Sequence, residues 1–142
     1  MNTFSELLAQ DVMSSPVFST SPESGIDQLE QEFVRHGVSA MPVVQQRQIV
    51  GIISRSDLML APVLSAAIES NAIAAGISGQ PKPTFRVTDL MTRDVVQCSP
   101  ETELALVAAD MVHRHVHHVV VVRNNEPVGV ISSLDIVQLT VK

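Results

Sequence analysis

Two Ser-x-x-Asp patterns carry the residue types in this sequence that could contact a ligand. Ser54 and Asp57 stand in the first half of the chain, and Ser132 and Asp135 stand in the second. An ionised Asp accepts hydrogen bonds only and can take two neighbouring hydroxyls, while a Ser hydroxyl can donate to an anionic oxygen. The same spacing is typical of a helix N-cap, with Asp near the positive end of the helix dipole. The pattern therefore predicts either a cap alone or a cap that also binds a ligand.

Four histidines close together in the second half suggest a second kind of chemistry, namely zinc binding. They are His113, His115, His117 and His118, and alternate positions of a strand share one face. No Cys or carboxylate is placed to complete a tetrahedral site, and His113 is expected to end a helix, where His suits the dipole. We therefore expect no metal site.

Catalytic patterns are missing from the sequence. The single cysteine, Cys98, has no adjacent base, and a lone Cys is ordinarily a buried thiol. Neither a Gly-rich phosphate loop nor a paired-carboxylate motif occurs. We expect a protein that is not an enzyme, in a reducing compartment.

Charge and composition exclude nucleic acid as a partner and indicate a subunit interface. The net charge is −6, and no cluster of Lys and Arg that could bind a phosphate backbone occurs. The 142 residues include no Trp and no Tyr on which bases could stack. Charged residues make up only 17% and apolar residues 45%, against roughly 25% charged in a typical soluble domain. The extra apolar surface predicts burial between subunits.

Neither a leader nor a membrane span is predicted. Residues Met1–Gln10 carry Glu6 and no basic residue ahead of an apolar run, unlike a signal peptide. The longest apolar stretch, Leu58–Ile68, is interrupted by Pro62 and Ser65 and is shorter than the ~18 residues of a spanning helix. We expect a cytoplasmic protein without a membrane partner.

The chain repeats itself once at a constant spacing. Asp11-Val12-Met13 recurs 78 positions later as Asp89-Leu90-Met91, and Gly51-Ile52-Ile53-Ser54 recurs as Gly129-Val130-Ile131-Ser132. Each copy is too small to be stable alone, so the two copies should pack on each other. We assign an N-terminal segment, a first copy, a helical connector with a linker, and a second copy to residues 1–10, 11–62, 63–86 and 87–142.

Each copy predicts a β-α-β-β-α unit that begins with a short strand and a helix. Val17–Thr20 and Val95–Cys98 are apolar runs that predict strands, and the Ser-Pro-Glu after each predicts a helix beginning at Pro22 or Pro100. The apolar positions of these two helices follow the spacing of one helical face. They are Ile26, Leu29, Phe33 and Val34 in the first copy, and Leu104, Val107, Met111 and Val112 in the second.

A hairpin and a second helix complete each unit. Two β-rich runs joined by a short polar turn predict the hairpin, and a further helix is expected after Ser54 and after Ser132. Between the copies, Pro62–Ala75 predicts a helix and Gly76–Thr84 a linker. The paired β-rich runs are Met41–Val44 with Ile49–Ile53, and Val119–Val122 with Val128–Ile131.

The helix of the second copy predicts how the protein associates. Leu104–Val112 is apolar almost all round, apart from Asp110, and such a helix is buried on more than one side. We therefore expect this helix to lie at a homodimer interface.

The order of these motifs resembles a tandem pair of CBS domains, the module named after cystathionine β-synthase. The resemblance rests on the openings DVM and DLM, on VSAMPVV and VHHVVVV, and on the closings GIISRSD and GVISSLD, and it covers residues 11–60 and 89–140. It implies an α+β fold of two units about a pseudo-twofold axis, with two clefts that in many members bind AMP, ATP or another adenosine compound. Such pairs usually regulate an attached enzyme or channel, and no such domain is recognised in these residues.

The resemblance also implies that each cleft combines the end of one copy with the middle of the other. The first cleft, cleft A, would be lined by Val17, Phe18, Val38, Ser39, Ala40, Pro42, Val130, Ser132 and Asp135. The second, cleft B, would be lined by Val95, Val96, Ile52, Ser54, Arg55, Asp57, Val116, His117 and His118.

The residue types in the two clefts suit an adenosine ligand. Each Asp would bind a ribose, and adenine would lie between aliphatic side chains such as Val38, Pro42 and Val130. His117, His118 and Arg55 are candidates for phosphate contact. Gly51 and Gly129 are expected to let the backbone approach the ligand closely.

These observations lead to a functional expectation with one alternative. We expect a homodimeric, ligand-sensing regulatory module that binds AMP, ADP or ATP rather than S-adenosylmethionine, with no obligatory cofactor. The ligand would shift the orientation of the two copies, and so the state of an unidentified partner protein. The alternative is a ligand-free structural or dimerisation module that acts on a partner protein, with the clefts filled by side chains.

Overall fold

The computed structural model describes residues 6–77, 79, 81 and 83–141. The predicted N-terminal segment 1–10 and the predicted linker Gly76–Thr84 fall partly outside these residues. The elements follow in the order α1 (Ala9–Val12), α2 (Ile26–His36), β1 (Ala40–Gln45), β2 (Gln48–Ser54), α3 (Arg55–Leu58), α4 (Leu60–Ala74), α5 (Val87–Leu90), β3 (Gln97–Cys98), α6 (Leu104–Arg114), β4 (His118–Arg123), β5 (Glu126–Ser132) and α7 (Ser133–Gln138).

Both predicted hairpins are confirmed. Strand β1 pairs with β2, and β4 pairs with β5, in antiparallel register with one irregularity in each ladder. The two turns have positive φ at both central residues, at Gln46 and Arg47 in the first copy and at Asn124 and Asn125 in the second. Turns of this kind match the twist of the flanking strands, and Asn tolerates the left-handed conformation.

The predicted first strand of each copy is much shorter than expected. In the second copy only Gln97–Cys98 forms a strand, which runs parallel to β4. In the first copy only Thr20 bridges to Val43, also in parallel. Thr20 nevertheless closes the sheet edge, because its amide donates to Pro42 (3.0 Å) and its carbonyl accepts from Val44 (2.8 Å).

The helices α2 and α6 begin four residues later than predicted, at Ile26 and Leu104 rather than at Pro22 and Pro100. The Ser-Pro-Glu segments form turns, closed in the second copy by the Thr102 amide donating to the Ser99 carbonyl at 3.1 Å. Each helix starts where the segment that precedes the other copy satisfies its first amide. Ile26 donates to the Phe85 carbonyl at 3.2 Å and Leu104 to the Leu7 carbonyl at 2.9 Å, since the first amides of a helix have no partner within it.

The apolar face predicted for these helices is confirmed except at its last position. The buried residues are Ile26, Leu29 and Phe33 in α2, and Leu104, Val107 and Met111 in α6. Val34 is 75% exposed and Val112 is 73% exposed. Each lies ~80° around the helix from its first core residue, on the side away from the other core positions.

The opening segment of each copy packs in the hydrophobic core of the other copy. Ala9 is fully buried with Leu104, Val119 and Ile131 of the second copy. Val87 is fully buried in the cluster that contains Phe33 of the first copy. Each hydrophobic core is therefore completed by residues from a distant part of the chain.

The connecting helix α4 contains no buried residue, and only its first turn touches the core, through the half-buried Ala61. The helix predicted over Pro62–Ala75 is confirmed, although it begins two residues earlier, at Leu60, and Pro62 lies in its first turn, where its missing amide has no partner to lose. By length and composition alone, the helical stretch Arg55–Ala74 could therefore cross a membrane. The absence of a membrane partner stays a prediction.

Candidate functional site

Two backbone bridges join the two copies and lie in the walls of two clefts. The Ser14 amide donates to the Val130 carbonyl at 2.9 Å. On the opposite side, Ile52 and Thr92 exchange two hydrogen bonds of 2.9 Å each. The bridges bring the segment that follows each opening helix against the last strand of the other copy, and so shape the cleft beside it.

Cleft A contains most of the residues predicted for it and has a volume of about 160 Å³. Pro42 does not line it, because its ring is fully buried within β1. Ser14, Pro16, Gly37 and Leu134 line the cleft without having been predicted. The predicted residues present are Val17, Phe18, Val38, Ser39, Ala40, Val130, Ser132 and Asp135.

Cleft B has a volume of about 240 Å³. Val95 and Arg55 were predicted to line it and do not. Four residues that were not predicted do line it, and they are Ser56, Thr92, Asp94 and His115. The predicted residues present are Ile52, Ser54, Asp57, Val96, Val116, His117 and His118.

The two clefts are built from equivalent positions of the repeat. Each residue lining cleft B stands 78 positions from a residue lining cleft A. Asp94 follows Pro16 by this distance and His115 follows Gly37, whereas Ile52 precedes Val130 by it. Four of the missed residues, Ser14, Pro16, Thr92 and Asp94, come directly after the DVM and DLM motifs, in segments that the backbone bridges place in the cleft walls.

Arg55 stabilises a helix end and does not contact cleft B. Its Nε donates to the Val38 carbonyl at 2.8 Å, and a terminal guanidinium nitrogen donates to the Phe33 carbonyl at 3.1 Å. The last carbonyls of α2 carry partial negative charge and attract a cation. The prediction of Arg55 as a phosphate contact is therefore wrong. Its equivalent Ser133 is too short for this role, and it lines an open apolar groove of about 470 Å³ between α6 and α7.

Both Ser-x-x-Asp patterns form helix caps, as the sequence predicts. One carboxylate oxygen of Asp57 accepts from the Ser54 amide at 2.8 Å, and the equivalent oxygen of Asp135 accepts from the Ser132 amide at 2.8 Å. Within the described part of the chain, the other oxygen, Oδ1, of each Asp receives no hydrogen bond from protein. Each cleft therefore contains an Asp that caps a helix and still has an acceptor to offer.

His118 lies at the boundary between the two clefts. Its Nε2 is 3.3 Å from Ser39 Oγ, which belongs to cleft A, while His118 itself lines cleft B. Burial and the neighbouring His117 lower the pKa of His118 from its ordinary value of 6.5, and the carboxylates of Asp57 and Asp135 oppose this shift. The imidazole is therefore neutral at pH 7.

The two strand glycines face methionines of the chain itself. A Cβ on Gly51 would lie 2.7 Å from Met91 Sδ, and one on Gly129 would lie 2.5 Å from Met13 Sδ. The expectation that these glycines make room for a ligand is therefore wrong. They accommodate the Met of the DVM and DLM motifs instead.

The clustered histidines and Cys98 were the other candidates for reactive chemistry. In the described residues, no group of three or more His, Cys, Asp or Glu side chains could hold a metal ion. Helix α6 continues past His113 to Arg114, and His115 follows it in the left-handed conformation. Burial, with a smaller contribution from Asp110, raises the pKa of the Cys98 thiol to about 11, so this thiol is a poor nucleophile.

Known proteins resemble this chain in sequence and in fold. The A-adding tRNA nucleotidyltransferase of Geobacter sulfurreducens is 28% identical over 130 residues, which are 92% of this chain but only 13% of that protein. The CBS domain pair of protein MJ0100, in complex with 5′-methylthioadenosine and S-adenosyl-L-methionine, superposes with a TM-score of 0.71 at 23% identity over 94% of this chain and 95% of that one. CBSX2 in complex with AMP superposes with a TM-score of 0.67 at 19% identity over 94% of this chain and 95% of that one.

The family model of the CBS domain matches the chain twice, at residues 9–63 and 87–142. These matches cover most of the chain, and the fold is that of the solved CBS pairs. The chain therefore belongs to the CBS domain family and forms a CBS pair, a regulatory module.

Proposed function

We propose that this CBS pair is a non-catalytic sensor that binds one adenosine-containing ligand in each cleft, AMP or ATP in preference to S-adenosylmethionine. The observation that carries the proposal is the Asp at the same position of both clefts, fixed by its helix cap and with one oxygen unused. The two solved CBS pairs that hold adenosine compounds support the ligand class.

In cleft A the side chains suit the apolar and sugar parts of the ligand. Val38 and Val130 line the cleft with Phe18, whose ring is stacked on His36 with 3.7 Å between the ring centroids. We infer that adenine lies against these apolar side chains and that Asp135 accepts from the ribose hydroxyls, because an ionised carboxylate is an acceptor only.

In cleft B the polar side chains suit a phosphate. His115, His117 and His118 line this cleft, where imidazole N–H groups can donate to phosphate oxygens. Asp94 and Asp57 also line this cleft, and their carboxylates would repel a phosphate placed beside them. We infer that the phosphate lies toward the histidines and the ribose toward Asp57.

The size of the clefts connects binding to regulation. At about 160 and 240 Å³, both are smaller than the roughly 300 Å³ at which typical small-molecule pockets begin. A nucleotide would have to separate the two copies or extend into solvent. Since a ligand shifts a conformational equilibrium only by its preference for one state, separation of the copies is the change that a regulated partner protein would detect.

We also propose a homodimer, formed through α6. Leu106 on this helix is 61% exposed and Val112 is 73% exposed, and both lie outside the single-chain core. Replacing Leu106 with Glu should convert a dimer into a monomer in light scattering. Replacing the exposed Leu134 of α7 with Glu serves as the control and should leave the dimer intact.

Calorimetry on the whole chain with AMP, ADP, ATP and S-adenosylmethionine tests the ligand proposal. Heat and a thermal shift with the nucleotides are expected, and tighter binding of S-adenosylmethionine would contradict the preference for a phosphate ligand. The small clefts favour a second candidate, the ligand-free structural module. Absence of heat and of any thermal shift with all four compounds would establish that alternative.

A further inference from the structure

The contact between Ser39 and His118 connects the two clefts through side chains. Ser39 Oγ and His118 Nε2 are 3.3 Å apart, although the residues are separated by most of the chain. Ser39 lines cleft A and His118 lines cleft B. Among the described residues, no other side-chain hydrogen bond joins one cleft to the other. We call this contact the cleft bridge.

The pseudo-twofold axis does not repeat the bridge. The repeat places His117 at the position of Ser39 and Ala40 at the position of His118. A methyl side chain cannot hydrogen-bond, so the symmetric contact cannot form. The clefts are therefore joined on one side of the axis only.

Each end of the bridge is held by the helix whose Asp belongs to the opposite cleft. The Ser39 carbonyl accepts from the Arg55 amide of α3 at 3.0 Å, and α3 carries Asp57 of cleft B. The His117 carbonyl, next to His118, accepts from the Ser133 amide of α7 at 2.8 Å, and α7 carries Asp135 of cleft A. A ligand that moves either Asp therefore also moves one end of the bridge.

The bridge can serve only one partner at His118. An imidazole nitrogen carries either one proton or one lone pair, so Nε2 cannot bind Ser39 and a phosphate in cleft B together. With the Ser39 hydroxyl as the donor to Nε2, its single proton cannot also be donated to a ligand oxygen in cleft A. A ligand in either cleft that uses one of these two groups therefore breaks the bridge, and the second ligand then binds with the bridge already broken.

We propose that the cleft bridge makes ligand binding to the two clefts positively cooperative. This inference rests on the proposed function, since it requires an adenosine ligand in each cleft. The coupling equals the free energy of one hydrogen bond, because that contact is lost once rather than twice. For a neutral hydrogen bond this corresponds to roughly a 2- to 10-fold increase in affinity for the second ligand.

The test is calorimetric titration of the whole chain with AMP, fitted to two sites per chain. The ratio of the second to the first intrinsic association constant should fall by about 2- to 10-fold in the Ser39→Ala variant. Ser70→Ala is the matched control, because Ser70 is exposed on α4 and lines neither cleft, and it should keep the wild-type ratio. Repulsion between two bound phosphates is common to all three proteins and cancels in the comparison.

Three results would overturn one or both proposals. Absence of AMP binding by the wild-type chain contradicts the proposed function, and the coupling with it. Two sites whose ratio is the same in the wild type and in Ser39→Ala contradict the coupling alone. A single AMP per chain also contradicts the coupling and leaves one nucleotide site.

Discussion

Met13, from the opening segment of the first copy, lies directly against Gly129 in the last strand of the second. A Cβ atom on Gly129 would stand 2.5 Å from Met13 Sδ and 2.9 Å from Met13 Cβ. The close approach extends to the base of the Met side chain, so a rotation of its end cannot relieve it. This contact explains why the Met of the DVM motif and the Gly before Val-Ile-Ser occur together.

Replacing Gly129 with Ala should lower the free energy of unfolding by about 1 to 3 kcal/mol, as overpacking in a dense core does. Urea denaturation measures the change. Adding Met13→Ala to the variant should recover part of the loss, because the two changes affect one contact. Gly25→Ser is the control, since a Cβ there meets no atom within 4 Å. Equal stability of Gly129→Ala and the wild type would show that the strand can move away from Met13.

Neither half of the chain should fold without the other. Ala9 is fully buried in the core of the second copy, and Val87 in that of the first. Fragments 1–77 and 83–142 should each lack a cooperative thermal transition in circular dichroism, and an equimolar mixture should regain it. A fragment that alone melts cooperatively near the wild-type temperature would show that the exchanged segments are dispensable.

Replacing Asp135 with Ala should abolish nucleotide binding in cleft A and cost only about 1 kcal/mol of stability, the usual effect of losing a cap. Asp11→Ala is the matched control, because its carboxylate accepts from the Leu8 amide at 2.8 Å in the same cap geometry but lies outside both clefts. Thermal melts and calorimetry on the two variants separate the roles. If Asp135→Ala binds AMP as well as Asp11→Ala does, then Asp135 is a cap alone.

The stability of the protein should fall below pH 6.5 partly because of His118. Burial and His117 lower its pKa in the folded chain, despite Asp57 and Asp135. As the pH falls through 6.5, the unfolded chain takes up a proton that the folded chain resists, so the free energy of unfolding decreases until the folded pKa is passed. Urea denaturation of His118→Gln between pH 7.5 and 5 should show a smaller decrease than the wild type. His113→Gln, an exposed control on α6, should behave like the wild type, and identical slopes in all three would refute the assignment.

The sequence determined the elements of each copy and most of the cleft residues. The repeat at constant spacing predicted both hairpins, and the Ser-x-x-Asp patterns predicted the caps that hold Asp57 and Asp135. These features depend on residues close together in the chain, such as the polar turns and the three-residue spacing of a cap. Local spacing is sufficient to predict them.

Only the tertiary structure decided how the copies exchange segments. The starts of α2 and α6 depend on carbonyls of Phe85 and Leu7, which local propensity does not include. Asp94 reaches cleft B because the neighbouring Thr92 bridges to Ile52. The outcome for Arg55 also depended on tertiary contacts, because its side chain donates to the carbonyls of Phe33 and Val38 at the end of α2 and does not line cleft B.

The contact between Ser39 and His118 was likewise decided only by the tertiary structure. No spacing within the sequence relates these two residues, and the repeat pairs each with a different partner, His117 and Ala40. Their contact exists because the two copies pack around an axis that places the loop after α2 against the start of β4. The sequence therefore determined the two capped Asp residues that the clefts share, and the packing of the copies decided which other residues line each cleft and that the clefts are connected.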